Sequence, residues 1–274
     1  MPTLKSIVAA ALAEDIGRGD VTTEAAVSPS TRAIGRLVAR QRAVVAGLDV
    51  AREVFRQVGG TVWRARAKDG ATVRSGQVVA EIRGRARSIL TGERVALNFL
   101  QRLSGTATLT RAFVDAVKGT GAKILDTRKT TPGLRVLEKA AVRAGGGMNH
   151  RFGLYDAALI KDNHLAAMRG IGPAVMALRR RRGARFRIEI EAQSRAQALY
   201  FAVLDIDVLM LDNMRNLRPL VAELRKIRPK LLIEASGGVT LKTVRAIAKT
   251  GVDWISVGAL THSAPAVDFS MDIS

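Results

Sequence analysis

The chain has 274 residues, 47% of them hydrophobic with no long polar tract, which suits one large or two modest domains around a real core. It has no cysteine, which excludes disulfides and cysteine metal sites and fits a reducing compartment, so a cytoplasmic location is expected. Lys and Arg number 44 against 24 Asp and Glu, a formal charge of +20, yet only 4% of residues are aromatic and no basic stripe is interleaved with stacking side chains, so no nucleic-acid partner is expected.

Taken in chain order, the apolar run Ile7–Ala13 is short and is followed at once by Glu14 and Asp15. It predicts a turn and a half of amphipathic helix rather than a signal peptide. No stretch approaches the roughly 20 apolar residues of a membrane span, so no membrane partner is expected. Residues 33–45 and 61–83 alternate apolar and polar, with turn signals at Asp69-Gly70 and Ser75-Gly76, and predict half-buried strands joined by hairpins. Residues 48–58 and 88–118 have helical spacing, the latter through Leu90, Leu97, Leu100 and Leu103. Together these predict an α+β unit with helices on one face of an open antiparallel sheet.

The pattern changes near residue 121. Short apolar runs centre on Leu125, Leu159, Ile188, Leu209, Ile233 and Ile255, with helix-like segments between them. That is a compact βα repeat. The runs end in or carry polar groups: Thr127-Arg128-Lys129, Lys161-Asp162-Asn163, Glu189 with Glu191, Asp212-Asn213, Glu234-Ala235-Ser236, and Ser256 with Gly258. The functional face of a parallel β/α barrel lies at the C-terminal ends of its strands, so polar residues in register at six of them point to such a face. The expected fold class is α/β, an N-terminal α+β open-faced sandwich over 1–110 and an incomplete (β/α) barrel over 111–263. A tail from about 264 to 274 is expected to pack back on the first domain.

Arg128, Lys129, His150, Arg151 and Lys161 fall within one glycine-rich stretch, an arrangement suited to a multiply anionic ligand. Pro132 is expected at the first position of a helix that ends at Gly145, a C′ glycine. Ser236-Gly237-Gly238, before a helix with Thr240 as N-cap, and Val257-Gly258-Ala259 follow the last two strands, the usual phosphate position in barrels. Glu189 and Glu191 face the same side of their strand, with Asp212 at the level of Glu191 on the next. These carboxylates could form structural ion pairs, hold Mg2+ against a bound diphosphate, or accept hydrogen bonds from a ribose. His150 is expected in a loop site, and His164 and His262 as residues that orient neighbours. Arg179–Arg182 before Gly183 reads as an exposed helix end.

The segments DTRKTTPGLR, GGGMNHRFGL, LIKDNH, IEIE, LDN, EASGG and GVDWISVGALTHS, with EDIGRGDVT and GERVALNFLQRLSGTAT earlier, are similar to those of quinolinate phosphoribosyltransferases (decarboxylating), also called nicotinate-nucleotide pyrophosphorylases. The resemblance runs in order over nearly the whole chain. It implies a two-domain plan of α/β sandwich and barrel with fewer than eight strands. It also implies transfer of a phosphoribosyl group from 5-phosphoribosyl 1-pyrophosphate (PRPP) to quinolinate, with loss of carbon dioxide. By resemblance, Arg128, His150, Arg151 and Lys161 contact quinolinate carboxylates or sugar phosphates, with Thr127 beside them, and Lys129 binds PRPP. Glu191 and Asp212 match acidic residues at the ribose and the cofactor Mg2+. Ser236, Gly237 and Gly238, and then Val257, Gly258 and Ala259, match the phosphate cradle. Lys129, Lys161, Glu191 and Asp212 are the expected catalytic set. Arg94 matches an arginine donated by the neighbouring subunit, which implies a homodimer with shared active sites or a higher oligomer. The alternative reading is a paralogous phosphoribosyltransferase, of the molybdate-transport-associated type or one using nicotinate.

Overall fold

A computed structural model describes residues 3–274. They form two compact units: one runs to Arg111 and includes Thr130–Gly146 and Ala259–Ser274, the other comprises Ala112–Lys129 and Gly147–Gly258.

In the first unit, α1 (Leu4–Ile16) is longer than its apolar run predicts. Thr3 and Ser6 form a capping box at its start, and Glu14 and Asp15 simply continue the last turn before Gly17, at φ 53°, ends it. A short α2 (Val21–Ala26) is capped by Asp20. The strands β1 (Arg32–Ala39), β3 (Thr61–Ala65), β5 (Val78–Arg85) and β12 (Phe269–Ile273) form an antiparallel sheet in the order β12-β1-β5-β3. The region read as one alternating stretch is divided between two sheets, because β4 (Thr72–Val73) leaves the β3–β5 pair to join β2 (Ala43–Val44).

The turn at Asp69 does more than reverse the chain. Its carboxylate accepts the backbone N–H groups of Gly47 (2.9 Å) and Leu48 (3.1 Å), closing the start of α3 (Leu48–Val58), which has no cap of its own. Leu37, Ile82, Phe55, Ile89 and Leu100 are wholly or almost wholly buried in this unit's core. Each such burial contributes about 1.5–3 kcal/mol before conformational entropy is counted.

The long α4 (Ala86–Ala116) runs on from β5. The helix expected from Pro132 begins instead at α5 (Arg135–Ala144). Glu138 takes the Thr131 N–H (3.0 Å) and hydroxyl (2.7 Å) with its carboxylate, and Gly133 at φ 79° holds a turn between. Arg102 binds the same carboxylate at 3.2 Å. Gly145 is right-handed at φ −69°, so the left-handed position is Gly146, at φ 92°. Gly145 is a glycine because a Cβ there would strike the Thr110 side chain and the Ala107 carbonyl of α4.

In the second unit the six apolar runs are six parallel strands: β6 (Lys123–Leu125), β7 (Ala158–Ile160), β8 (Ile188–Ala192), β9 (Val208–Asp212), β10 (Leu232–Ser236) and β11 (Trp254–Ser256). Their order is β6-β11-β10-β9-β8-β7, so β6 and β7 are edges and the (β/α) barrel is incomplete. The helices α6 (Asp162–Ala167), α7 (Ile171–Arg182), α8 (Arg195–Ala202), α9 (Leu217–Ile227) and α10 (Val244–Ala248) alternate with them. Thr243, not Thr240, stands at the N-cap of α10, and Thr240 accepts the Thr243 N–H in the turn before it.

One ionic device occurs twice at the strand starts. Arg179 of α7 reaches Asp207 (2.9 Å), whose carboxylate also accepts the Ile188 N–H (2.7 Å). Arg225 of α9 reaches Asp253 (2.6 Å), whose carboxylate accepts the Ile233 N–H (2.7 Å). Arg179 is only 14% exposed, so the basic run at the end of α7 is a solvated helix end at Arg180–Arg182 alone.

Candidate active site

The chain after β6 and the glycine-rich loop are locked together by backbone pairing. Met148 donates its N–H to the Ile124 carbonyl (2.8 Å) and accepts that of Asp126 (3.2 Å), lying parallel beside Leu125. The buried Asp126 carboxylate accepts the His150 N–H (2.9 Å) and the Asn149 side-chain amide (2.5 Å). Asn149, His150 and Arg151 thus follow a short pseudo-strand. Thr127 and Arg128 beside it are half-buried and Lys129 is exposed.

His150 is buried, with carboxylates on two strands facing its ring. Its Nε2 lies 3.0 Å from Glu189 Oε2 of β8 and 3.5 Å from Glu234 Oε2 of β10. Glu234 is held in turn by the Ser256 hydroxyl of β11. Burial acts to lower the imidazole pKa, but the two glutamates outweigh it and raise it to about 9. A donor on the other nitrogen opposes a second proton: the Arg151 N–H points at Nδ1 from 2.7 Å and needs it bare. Nε2 is thus the nitrogen that faces the carboxylates, and Nδ1 the one that faces the Arg151 N–H.

Arg151 is buried too, and its Nη1 donates to the Ala157 carbonyl at 3.2 Å. Burial lowers its pKa, and the positive charge of Arg128 lowers it further. A buried guanidinium that also feels the charge of a second one favours an anion beside it.

Lys161, at the end of β7, brings Nζ to 3.2 Å from Glu191 Oε2 on β8. His164 accepts the Lys161 N–H on Nδ1 at 3.0 Å, the orienting role expected of it, and the His262 ring pairs with the Ser263 hydroxyl at 2.6 Å. Asp212 ends β9, half-buried, with Asn213 donating to it at 2.8 Å. Ser236 accepts the Asn213 N–H (2.9 Å), and Gly237 follows at φ 92° with the Asn213 side chain against its α-carbon, where a Cβ would overlap it. Gly238, at φ 59°, has open space where its Cβ would be. Val257 is buried and Gly258 half-buried after β11, whereas Ala259, at the start of α11 (Ala259–His262), and Arg94, exposed on α4, belong to the first unit.

The donor chemistry at Glu191 and Asp212 fits Mg2+, which takes one or two carboxylates and completes its shell with substrate oxygens. Among the described residues the one group of three metal-capable side chains lies elsewhere, at His150, Glu189 and Glu234.

Family models match both parts of the chain: the quinolinate phosphoribosyl transferase N-terminal domain over residues 20–104 and its C-terminal domain over 106–272. The chain belongs to the quinolinate phosphoribosyl transferase family. It is 46% identical to the nicotinate-nucleotide pyrophosphorylase (carboxylating) of Mycobacterium leprae, over 96% of this chain and 94% of that protein. The corresponding Bacillus subtilis protein is 43% identical over 99% and 93%. Among solved structures, NadC from Streptococcus pyogenes superposes with a TM-score of 0.93 at 40% identity, covering 99% of this chain and 96% of that one. The Francisella tularensis nicotinate-nucleotide pyrophosphorylase does so with 0.93 at 38%, covering 99% and 96%. These similarities to this one family do not favour the paralogous alternatives.

Within this family member, the second unit holds Thr127, Arg128, Lys129, His150, Arg151, Lys161, Glu191, Asp212, Ser236, Gly237, Gly238, Val257 and Gly258 at or just beyond the C-terminal ends of its strands. Sequence reasoning gave no role to Asp126, which fixes the His150 loop, and none to Glu234 beyond its place at a strand end, although it faces the His150 ring. Glu234 had a signal: a carboxylate inside an otherwise apolar β10 is costly to bury unless something pairs it. Asp126 had none beyond its place at a strand end.

Proposed function

We infer that this enzyme joins quinolinate to the phosphoribosyl group of PRPP and releases pyrophosphate and carbon dioxide, giving nicotinate mononucleotide for de novo NAD synthesis. The observation that carries the substrate assignment is the match to the family over both domains, and the buried Arg151, held at the Ala157 carbonyl with the Arg128 charge acting on it, agrees with it. Quinolinate is a dianion, and the planar guanidinium fork matches a carboxylate in geometry as well as charge.

In the first step the pyridine nitrogen forms a bond to the anomeric carbon as the bond to the pyrophosphate oxygen breaks. Positive charge develops on the ribose carbon and negative charge on the departing pyrophosphate. Lys129 and Lys161 would stabilise that negative charge, and Glu191 and Asp212 would tolerate the positive carbon. Mg2+, held by Glu191 and Asp212 together with substrate oxygens, would add further charge neutralisation on the diphosphate. The Ser236–Gly238 turn and the Val257–Ala259 segment offer backbone N–H groups for phosphate. In the second step the ring bond to the carboxylate next to the nitrogen breaks. Carbon dioxide leaves, the electron pair remains beside the cationic nitrogen that stabilises it, and a proton is taken up there. The protein's contribution is positioning and charge complementarity.

Arg94, by its family match, would complete a partner's site in a homodimer, and a cytoplasmic location is part of the same reading. No helix among the described residues is long and apolar enough to cross a membrane. The test is direct: with quinolinate, PRPP and Mg2+, the purified protein should release carbon dioxide and pyrophosphate in equal amounts. Pyrophosphate release without carbon dioxide would contradict the assignment.

A further inference from the structure

Glu189 is a charged group that the reaction scheme above leaves without a task. Its side chain is wholly buried on β8, its Oε2 stands 3.0 Å from His150 Nε2 as an ion-pair contact, and neither oxygen has a hydrogen-bond partner of good geometry among the described residues. A carboxylate so poorly served costs stability, since hydration is lost and little replaces it. An apolar residue would fill the position more cheaply, and its neighbours Ile188 and Ile190 on the same strand are apolar.

What Glu189 does have is one end of a chain of contacts. The His150 ring meets Glu189 with Nε2 and receives the Arg151 N–H on Nδ1. The backbone N–H of His150 is itself held by Asp126. The peptide from which Arg151 springs is therefore gripped at two successive N–H groups, one by Asp126 and one by the ring that Glu189 faces. Other charged groups around the ring are Glu234 on β10, which faces the same nitrogen from 3.5 Å, and Arg187, which precedes β8 and acts on Glu189. The Arg151 guanidinium has one further anchor, the Ala157 carbonyl.

We propose that Glu189 is a positioning residue: by pairing its carboxylate with Nε2 it sets the tilt of the His150 ring, turns Nδ1 toward the Arg151 N–H, and so sets where the Arg151 guanidinium meets the pyridine diacid. Histidines whose second nitrogen is held by a carboxylate are oriented in this way in many sites. The inference rests on the assignment of Arg151 to quinolinate. It makes His150 a link between Glu189 and Arg151, and it gives the buried triad a purpose other than holding a metal.

The experiment compares Glu189→Leu with Glu189→Gln, whose amide oxygen can still meet Nε2. Steady-state kinetics is run with each substrate varied in turn, and folding is checked by circular dichroism and thermal melting. Glu189→Leu should raise KM for quinolinate by about tenfold or more while KM for PRPP stays within about twofold, and Glu189→Gln should restore the quinolinate KM to within about threefold of wild type. Glu189→Met, closer to glutamate in shape, carries the same comparison should Glu189→Leu not fold. Equal rises in both KM values, or equal damage from Leu and Gln, would overturn the proposal, because a purely structural role does not distinguish substrates. A stoichiometric transition metal in the purified protein would overturn it too, since Nε2 would then be a ligand. Wild-type turnover on quinolinate is the control: its absence sinks the assignment of function, whereas the outcomes above sink only the positioning role.

Discussion

Lys161 Nζ lies 3.2 Å from Glu191 Oε2, joining the end of β7 to the end of β8. The cation and the carboxylate are assigned opposite duties in phosphoribosyl transfer, and each holds the other in place until substrate arrives. Removing one partner does more than delete a charge: it leaves the nearly buried Glu191 carboxylate uncompensated. Lys161→Ala is expected to lower kcat by about 100-fold to 1,000-fold, the scale of losing one preorganised electrostatic group. Glu191→Gln should also lower kcat while sparing the quinolinate KM. Steady-state kinetics of both variants checks this.

Arg151 should not tolerate lysine. Arg151→Lys keeps the charge but loses the fork and the hydrogen bond to Ala157, so the quinolinate KM should rise by about tenfold or more. A shift in the PRPP KM with an unchanged quinolinate KM would move Arg151 to the other substrate.

The two glycines after β10 separate strain from space. Gly237→Ala would force both a left-handed backbone and a clash with Asn213, and should cost about 2–3 kcal/mol of stability. Gly238→Ala meets only the left-handed backbone and should cost about 1 kcal/mol. Urea denaturation of the two variants gives the comparison, and equal losses would contradict the packing of Asn213 against Gly237.

Arg179→Ala should destabilise by about 1.5–3 kcal/mol, because it releases Asp205 and Asp207 and with them the Asp207 clasp on the start of β8. Arg180→Ala and Arg181→Ala, on the exposed helix end, should fall within about 0.5 kcal/mol of wild type.

Acid sensitivity should trace in part to Glu53. Its two hydrogen bonds from Arg56, and another from Gln57, hold its pKa down to about 2 from an ordinary 4.5. A depressed carboxylate contributes stability that is fully present above the unfolded pKa and is lost as pH falls through the folded one. Glu53→Gln should therefore be less stable than wild type at neutral pH, and the gap should close as pH drops from about 4.5 toward 2. A gap that does not change with pH would contradict this.

The parts of the fold legible in the sequence are those governed by local periodicity. The apolar runs at Leu125 through Ile255 became β6 to β11, and residues 48–58 became α3 without adjustment. What escaped was set by partners distant in sequence. Glu138 delays the helix after Pro132 by claiming Thr131, and β4 leaves its hairpin to pair with β2. In the site, the strand-end rule located Arg128, Lys161, Glu191 and Asp212. The partners of His150 could not be read, because Glu189 and Glu234 are 39 and 84 residues away (189 − 150 and 234 − 150) and meet the ring only once the sheet is assembled.

Discrimination between pyridine acids shows whether two guanidiniums receive a diacid. With PRPP and Mg2+ present, kcat/KM for quinolinate should exceed that for nicotinate by about a thousandfold or more, because nicotinate lacks the second carboxylate that the two guanidiniums would share. Comparable values, or a preference for nicotinate, would show that they do not.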